Sequence, residues 1–200
     1  MITIGITGPT GCGKTTFLRQ IAARGGVIAD CDALYYELLK TDPALRTALE
    51  AAFGSVFLPD GSLDRRALAA RVFQDPEALA KLNEIVFFHV GNEVTRRRAQ
   101  AQTNGAPLFA IDAINLIESG MGNDCDAIVG ILAPKAVRLS RIMARDGLSQ
   151  PAAQARIDAQ KQDAFYLEHC GYILRNDTSV EAFRRASDAL LDKISKEEPS

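Results

Sequence analysis

Two rhythms of apolar and polar positions run along this chain. Ile2 to Thr7 is an unbroken β-branched and apolar run, which predicts a strand buried on both faces. Between Lys14 and Ala23 the apolar residues Phe17, Leu18 and Ile21 fall on one side of a helix. Gly25 and Gly26 stop that helix, and Val27 to Ala29 predicts a short buried strand whose end is marked by Asp30 and Asp32. From Ala33 to about Thr103 the spacing is helical, in "DPALRTALEAAF", "SLDRRALAARVF" and "DPEALAKLNEIVFFHVGNEVTRRRAQAQ", each opened by an Asp or Ser start signal. "GSVFLPDGS" breaks this run as a loop.

The strand rhythm then returns. "PLFAID" and "CDAIVGILA" predict two further buried strands, followed by an Arg-rich helix from Lys135 to Arg145. "DGLSQPAAQARIDAQKQD" reads as a turn and a helix, "GYILRND" as a last short strand, and Val180 to Lys193 as a closing amphipathic helix, with residues 195–200 frayed. Strands separated by helices at this spacing predict an α/β fold, a parallel sheet with helices on both faces. The helical block at residues 33–105 is an insertion covering one end of that sheet.

Composition narrows the function classes. Two hundred residues bury one substantial core, so residues 1–200 are read as a single domain. With 23 basic against 25 acidic residues and a formal net charge of -2, the chain shows no footprint for sequence-independent binding of nucleic acid. No apolar run approaches a bilayer span and no secretory signal pattern opens the chain, so it reads as soluble and cytoplasmic. Cys12, Cys31, Cys125 and Cys170 lack metal spacing and read as free thiols. His89 and His169 are isolated and read as packing or surface residues, and Thr95 to Arg98 as an exposed helix face.

The chemistry lies in "GPTGCGKTT", Gly8 to Thr16. Gly8, Gly13, Lys14 and Thr15 satisfy GxxxxGK[ST] between a buried strand and a helix start, which is the context a P-loop requires. Glycines let the backbone of Gly8, Pro9, Thr10, Gly11, Cys12 and Gly13 wrap a phosphate so that N–H groups point at its oxygens, with the helix dipole adding to the attraction. Lys14 reaches the β- and γ-phosphates of ATP, and the Thr15 hydroxyl takes Mg²⁺. The fold class is thereby a P-loop NTPase. Cys12 has two readings, a thiol made reactive by the helix N-terminus and Lys14, or a small residue filling the loop, and the second is preferred.

A P-loop does not name the acceptor. Asp112 closes "LFAID", where a P-loop protein needs a carboxylate near the metal. Asp30 and Asp32 end the preceding strand, so they are expected near the γ-phosphate, where a carboxylate orients an acceptor hydroxyl and takes its proton; capping of the next helix by Asp32 is compatible with this. Arg138, Arg141 and Arg145 share a helix face, and residues 138–160 read as a lid with Arg156 on its far side, its arginines stabilising charge in phosphoryl transfer.

Together these residues resemble the dephospho-CoA kinases, P-loop enzymes of the nucleoside and nucleotide kinase group. The resemblance runs through "ITIGITGPTGCGKTT", "GGVIADCDAL", "GSLDRRALAARVFQDPEALAKLNEI", "IDAINLIESG", "RLSRIMARDGLSQPAAQARIDAQ" and "YILRNDTS". It implies phosphorylation by ATP of the ribose 3'-hydroxyl of dephospho-CoA, a small-molecule acceptor. It further implies that Asp32 is the catalytic carboxylate with Asp30 its companion, that Lys14 and Thr15 are phosphate and metal ligands, that Arg141 and Arg145 are lid arginines, and that Asn176 lies near the adenine. The chain departs from the family pattern in three places. Phe87 and Phe88 stand where a His-Pro pair is common, Ala113, Ile114 and Asn115 follow Asp112 where Ile-Pro-Leu is common, and Arg138 stands where Gln is frequent. The first two fall on the expected acceptor side. A kinase for another nucleoside or nucleotide, and a P-loop ATPase switch, are the alternatives.

Overall fold

The computed structural model describes residues 1–73 and 75–197. Five strands, β1 (Ile2–Thr7), β2 (Val27–Asp30), β3 (Leu108–Asp112), β4 (Ala127–Leu132) and β5 (Tyr172–Arg175), form one sheet in the order β2-β3-β1-β4-β5. β1 pairs in parallel with β3 and with β4, and β4 in parallel with β5. Alternation along β1 sends Ile2, Ile4 and Ile6 to one face, where Phe17, Leu18 and Ile21 of α1 (Lys14–Ala23) and Phe183, Leu191 and Ile194 of α9 (Val180–Glu197) cover them. The other face meets α8 (Asp163–His169), whose Tyr166 packs with Leu132 and Cys170. The expected doubly covered parallel sheet is therefore present. The helix at α8 was not distinguished from its neighbours by periodicity, being only seven residues long.

The chain divides into two compact units. Met1–Ala29 with the chain from Gln100 onward forms the sheet unit, and Asp30–Ala99 forms a helical unit. The helical unit contains α2 (Cys31–Thr41), α3 (Pro43–Phe53), α4 (Arg65–Val72) and most of α5 (Pro76–Thr103) around Leu45, Leu49, Phe53, Val56 and Leu68. Its helices start where carboxylates cap them. Asp42 accepts from the Ala44 and Leu45 amides, Asp64 from Arg66 and Ala67, and Asp75 from Glu77 and Ala78. In "SLDRR" the cap is thus Asp64, with Ser62 held in a turn by Asp60.

Two local expectations are corrected. The cap of α2 is Asp30, which accepts from the Ala33 amide at 3.0 Å, and Asp32 lies in the first helical turn. The closing helix continues through Glu197 because Leu191 and Ile194 anchor its last turns, and residues 198–200 lie outside the described residues. In Thr95 to Arg98, Thr95 and Arg96 are exposed and Arg97 and Arg98 half-buried; Glu93 accepts from both Arg96 and Arg97, and Arg97 Nη2 donates to both carboxylate oxygens of Glu37. His89 is mostly buried, its Nδ1 2.7 Å from Asp42 Oδ2, and exposed His169 stacks on Phe165.

Candidate active site

Sheet order decides where the glycine-rich loop emerges. β1 is flanked by β3 and β4, so the crevice at the C-terminal strand ends, where strand order reverses, opens directly above Thr7. Gly8, Gly11 and Gly13 adopt φ values of 144°, 81° and 109°, which only glycine takes without strain. Space is equally restrictive. A Cβ on Gly11 would lie 3.0 Å from the carbonyl oxygen of Arg138, and one on Gly13 would collide with the Asn176 amide.

The loop carbonyls are held one after another by protein donors. Lys14 Nζ donates to the Gly8 carbonyl at 3.0 Å, Arg138 Nε to Thr10 at 3.0 Å, Arg141 Nη1 to Gly11 at 3.2 Å and Asn176 Nδ2 to Cys12 at 2.8 Å. In a trans peptide the C=O of one residue and the N–H of the next point opposite ways. Binding the carbonyls of residues 10 and 12 on one side therefore turns the amides of Gly11 and Gly13 to the other, toward an incoming anion. α1 begins directly after this turn with no side-chain cap and no acidic residue in its first turn, so its positive end is available to phosphate.

Arg138 and Arg141 lie on α6 (Lys135–Asp146), and their side chains serve the loop. Arg138 is 2% exposed, and burial pulls its pKa below the usual arginine value. Arg141 also donates to Asn176 Oδ1 at 3.2 Å. The shared face expected for three arginines is thus divided in use. Arg145 is exposed and forks onto Asp146, which Arg156 of α7 (Gln150–Asp158) also engages at 2.6 Å. Asn176, expected near an adenine, is a buried strut beneath the loop, its backbone N–H bound to the Leu132 carbonyl. Gln160 was not singled out by sequence, yet it contacts Thr10 twice. Its only signal was its place in the "ARIDAQ" segment.

Burial dominates at Cys12. The thiol is 1% exposed and its pKa is raised by desolvation, against the lowering influence of Lys14, which fits a small residue filling the loop. Asp112 ends β3 opposite Ile6 of β1, with its Oδ1 buried, and Thr15 is exposed in the first turn of α1. A carboxylate and a hydroxyl are the hard oxygen ligands that Mg²⁺ takes alongside water and phosphate. Asp32 is exposed on α2, whereas Asp30 is committed to its cap.

A family model described as Dephospho-CoA kinase matches residues 2–182. The chain belongs to the dephospho-CoA kinase family. Within that family, it is 35% identical to a curated dephospho-CoA kinase of Anaeromyxobacter dehalogenans over 96% of this chain and 91% of that one. A crystal structure of a Thermus thermophilus protein superposes with a TM-score of 0.80 at 32% identity, covering 96% of this chain and 97% of that one. Dephospho-CoA kinase from Campylobacter jejuni shares the fold, with a TM-score of 0.67 at 24% identity over 98% of each chain. Among the described residues, no helix is long and apolar enough to cross a membrane.

Proposed function

We propose that this dephospho-CoA kinase family member transfers the γ-phosphoryl group of ATP to the ribose 3'-hydroxyl of dephospho-CoA, giving coenzyme A and ADP in the cytoplasm. The observation that carries the reading is the loop from Gly8 to Cys12, whose carbonyls are bound by protein donors so that the Gly11 and Gly13 N–H groups turn to the side from which an anion would approach. In this reading the loop and Lys14 hold the triphosphate, and Asp32 orients the acceptor and takes its proton. The freed oxygen attacks the γ-phosphorus, and the bond to the bridging oxygen breaks with its electrons staying on ADP. Thr15 and Asp112 hold Mg²⁺, which supplies charge neutralisation on the phosphate oxygens. Residues 33–105 carry the acceptor, with Asp30 keeping Asp32 in place through its cap on α2. Arg141 acts through the loop, and Arg145 reaches the transferred group only after leaving Asp146.

An ADP-release assay with ATP and Mg²⁺ tests this, comparing dephospho-CoA with adenosine, AMP and no acceptor, with products identified by mass. Conversion of dephospho-CoA alone is expected. Phosphorylation of another acceptor would mean that the departures at Phe87, Phe88, Ile114 and Asn115 had redirected specificity, and ADP release indifferent to acceptor would identify an ATPase switch.

A further inference from the structure

We infer that Arg138 and Gln160 are positioning residues for the ATP triphosphate, acting through Thr10 rather than on the nucleotide. Every polar atom of Thr10 is gripped by this pair. Its N–H donates to Gln160 Oε1 at 2.9 Å, its Oγ1 accepts from Gln160 Nε2 at 2.7 Å, and its carbonyl accepts from Arg138 Nε at 3.0 Å. Arg138 Nη2 closes the circuit by donating to the same Gln160 Oε1 at 3.0 Å.

The pair sets the direction of one phosphate-facing amide. Because the peptide joining Thr10 and Gly11 is planar, the hydrogen bond on the Thr10 carbonyl also aims the Gly11 N–H away from α6. The grip of Gln160 on the Thr10 N–H fixes the preceding peptide in the same way. Packing alone does not account for the choice of residue. Both hydrogen-bond partners of the buried Arg138 guanidinium are neutral, an expensive way to fill space that an apolar side chain fills at lower cost. What an apolar side chain lacks is the rigid fork, with one donor for the loop and one for Gln160.

The inference rests on the ATP-binding part of the proposed function and not on the identity of the acceptor. Its test compares Gln160→Ala, Gln160→Glu and Arg138→Met by calorimetric titration with Mg-ATP, by KM for ATP and for dephospho-CoA, and by thermal unfolding. Gln160→Ala loses three hydrogen bonds, two with Thr10 and one from Arg138, and Arg138→Met loses two, so in each Mg-ATP affinity falls about five- to tenfold and KM for ATP rises equally, with KM for the acceptor within about twofold. Gln160→Glu keeps both acceptor positions, and the Thr10 hydroxyl turns to donate, so ATP affinity returns to within about twofold of wild type. Arg138→Met keeps the test decisive if Gln160→Ala fails to fold. Unchanged Mg-ATP affinity in Gln160→Ala or Arg138→Met overturns the inference, as does a Gln160→Glu variant as weak as Gln160→Ala, or a loss shared equally between ATP and acceptor. Absence of Mg-ATP binding by the wild-type chain overturns the ATP reading itself, a result distinct from unchanged affinity in the variants.

Discussion

Asn176 Nδ2 lies 2.8 Å from the carbonyl oxygen of Cys12, in a buried hydrogen bond that joins the end of the last strand to the glycine-rich loop. Asn176→Leu leaves that carbonyl without its donor and removes the acceptor for Arg141. The expected cost is about 1–3 kcal/mol of stability, with weaker Mg-ATP binding. Denaturant unfolding and ATP titration check this, and wild-type values in both would remove Asn176 from support of the loop.

Gly11→Ala and Gly105→Ala separate strain from collision. Both glycines have positive φ, 81° and 74°, but only at Gly11 would a Cβ meet immovable helix backbone, since nothing lies within 4 Å of Gly105. Gly105→Ala is expected to cost about 1 kcal/mol with ATP affinity intact, and Gly11→Ala to lose ATP binding as well. Equal behaviour of the two variants in an ATP titration would contradict the close approach of the loop to α6.

Glu93 ties α5 to itself and, through Arg97, to α2. The hydrogen bond from Arg96, with that from Arg97 acting against burial, brings its carboxyl from 4.5 to about 2. A carboxylate with a lowered folded-state pKa contributes stability that is fully present above about pH 4.5 and lost as pH falls toward 2. After allowance for the exposed Arg96, the contribution is about 1–2 kcal/mol. Unfolding curves at pH 7 and pH 3 are expected to show Glu93→Gln less stable than wild type at the higher pH, with the gap narrowing at the lower. A gap independent of pH would contradict the ion-pair origin.

Cys12 is expected to resist alkylation at neutral pH, because burial raises its pKa and shields the sulfur. Half-buried Cys125 reacts first. Peptide mapping after brief treatment with iodoacetamide reads the order, and early labelling of Cys12 would contradict it.

Asp32→Asn is expected to retain Mg-ATP affinity while losing about 10²–10⁴-fold in kcat, the range for a general base. Lys14→Ala is expected to weaken Mg-ATP binding and turnover together. Turnover at the wild-type rate by Asp32→Asn would remove that carboxylate from the mechanism.

The elements were legible because their signals are local. Unbroken apolar runs mark β1, β3 and β4, Asp42, Asp64 and Asp75 mark helix starts, and the glycine spacing from Gly8 to Gly13 marks the loop. Asp30 and Asp32 lie so close in sequence that they offer the same local capping signal, and only the backbone turn selects Asp30 over Asp32. The arginines of α6 recur at helical spacing, but spacing does not say what each one meets: Arg138 and Arg141 reach the loop and Arg145 turns to Asp146.

By itself, then, the sequence determined the parallel α/β architecture, the glycine-rich loop and the family. Tertiary structure alone decided that Arg138, Arg141, Gln160 and Asn176 converge on that loop, and that Arg145 turns to Asp146 instead. The reason is physical. Helices, strands and turns arise from residues a few positions apart, whereas the Thr10 and Cys12 carbonyls are satisfied by donors 128 and 164 positions away, which meet them only after the sheet has ordered its strands.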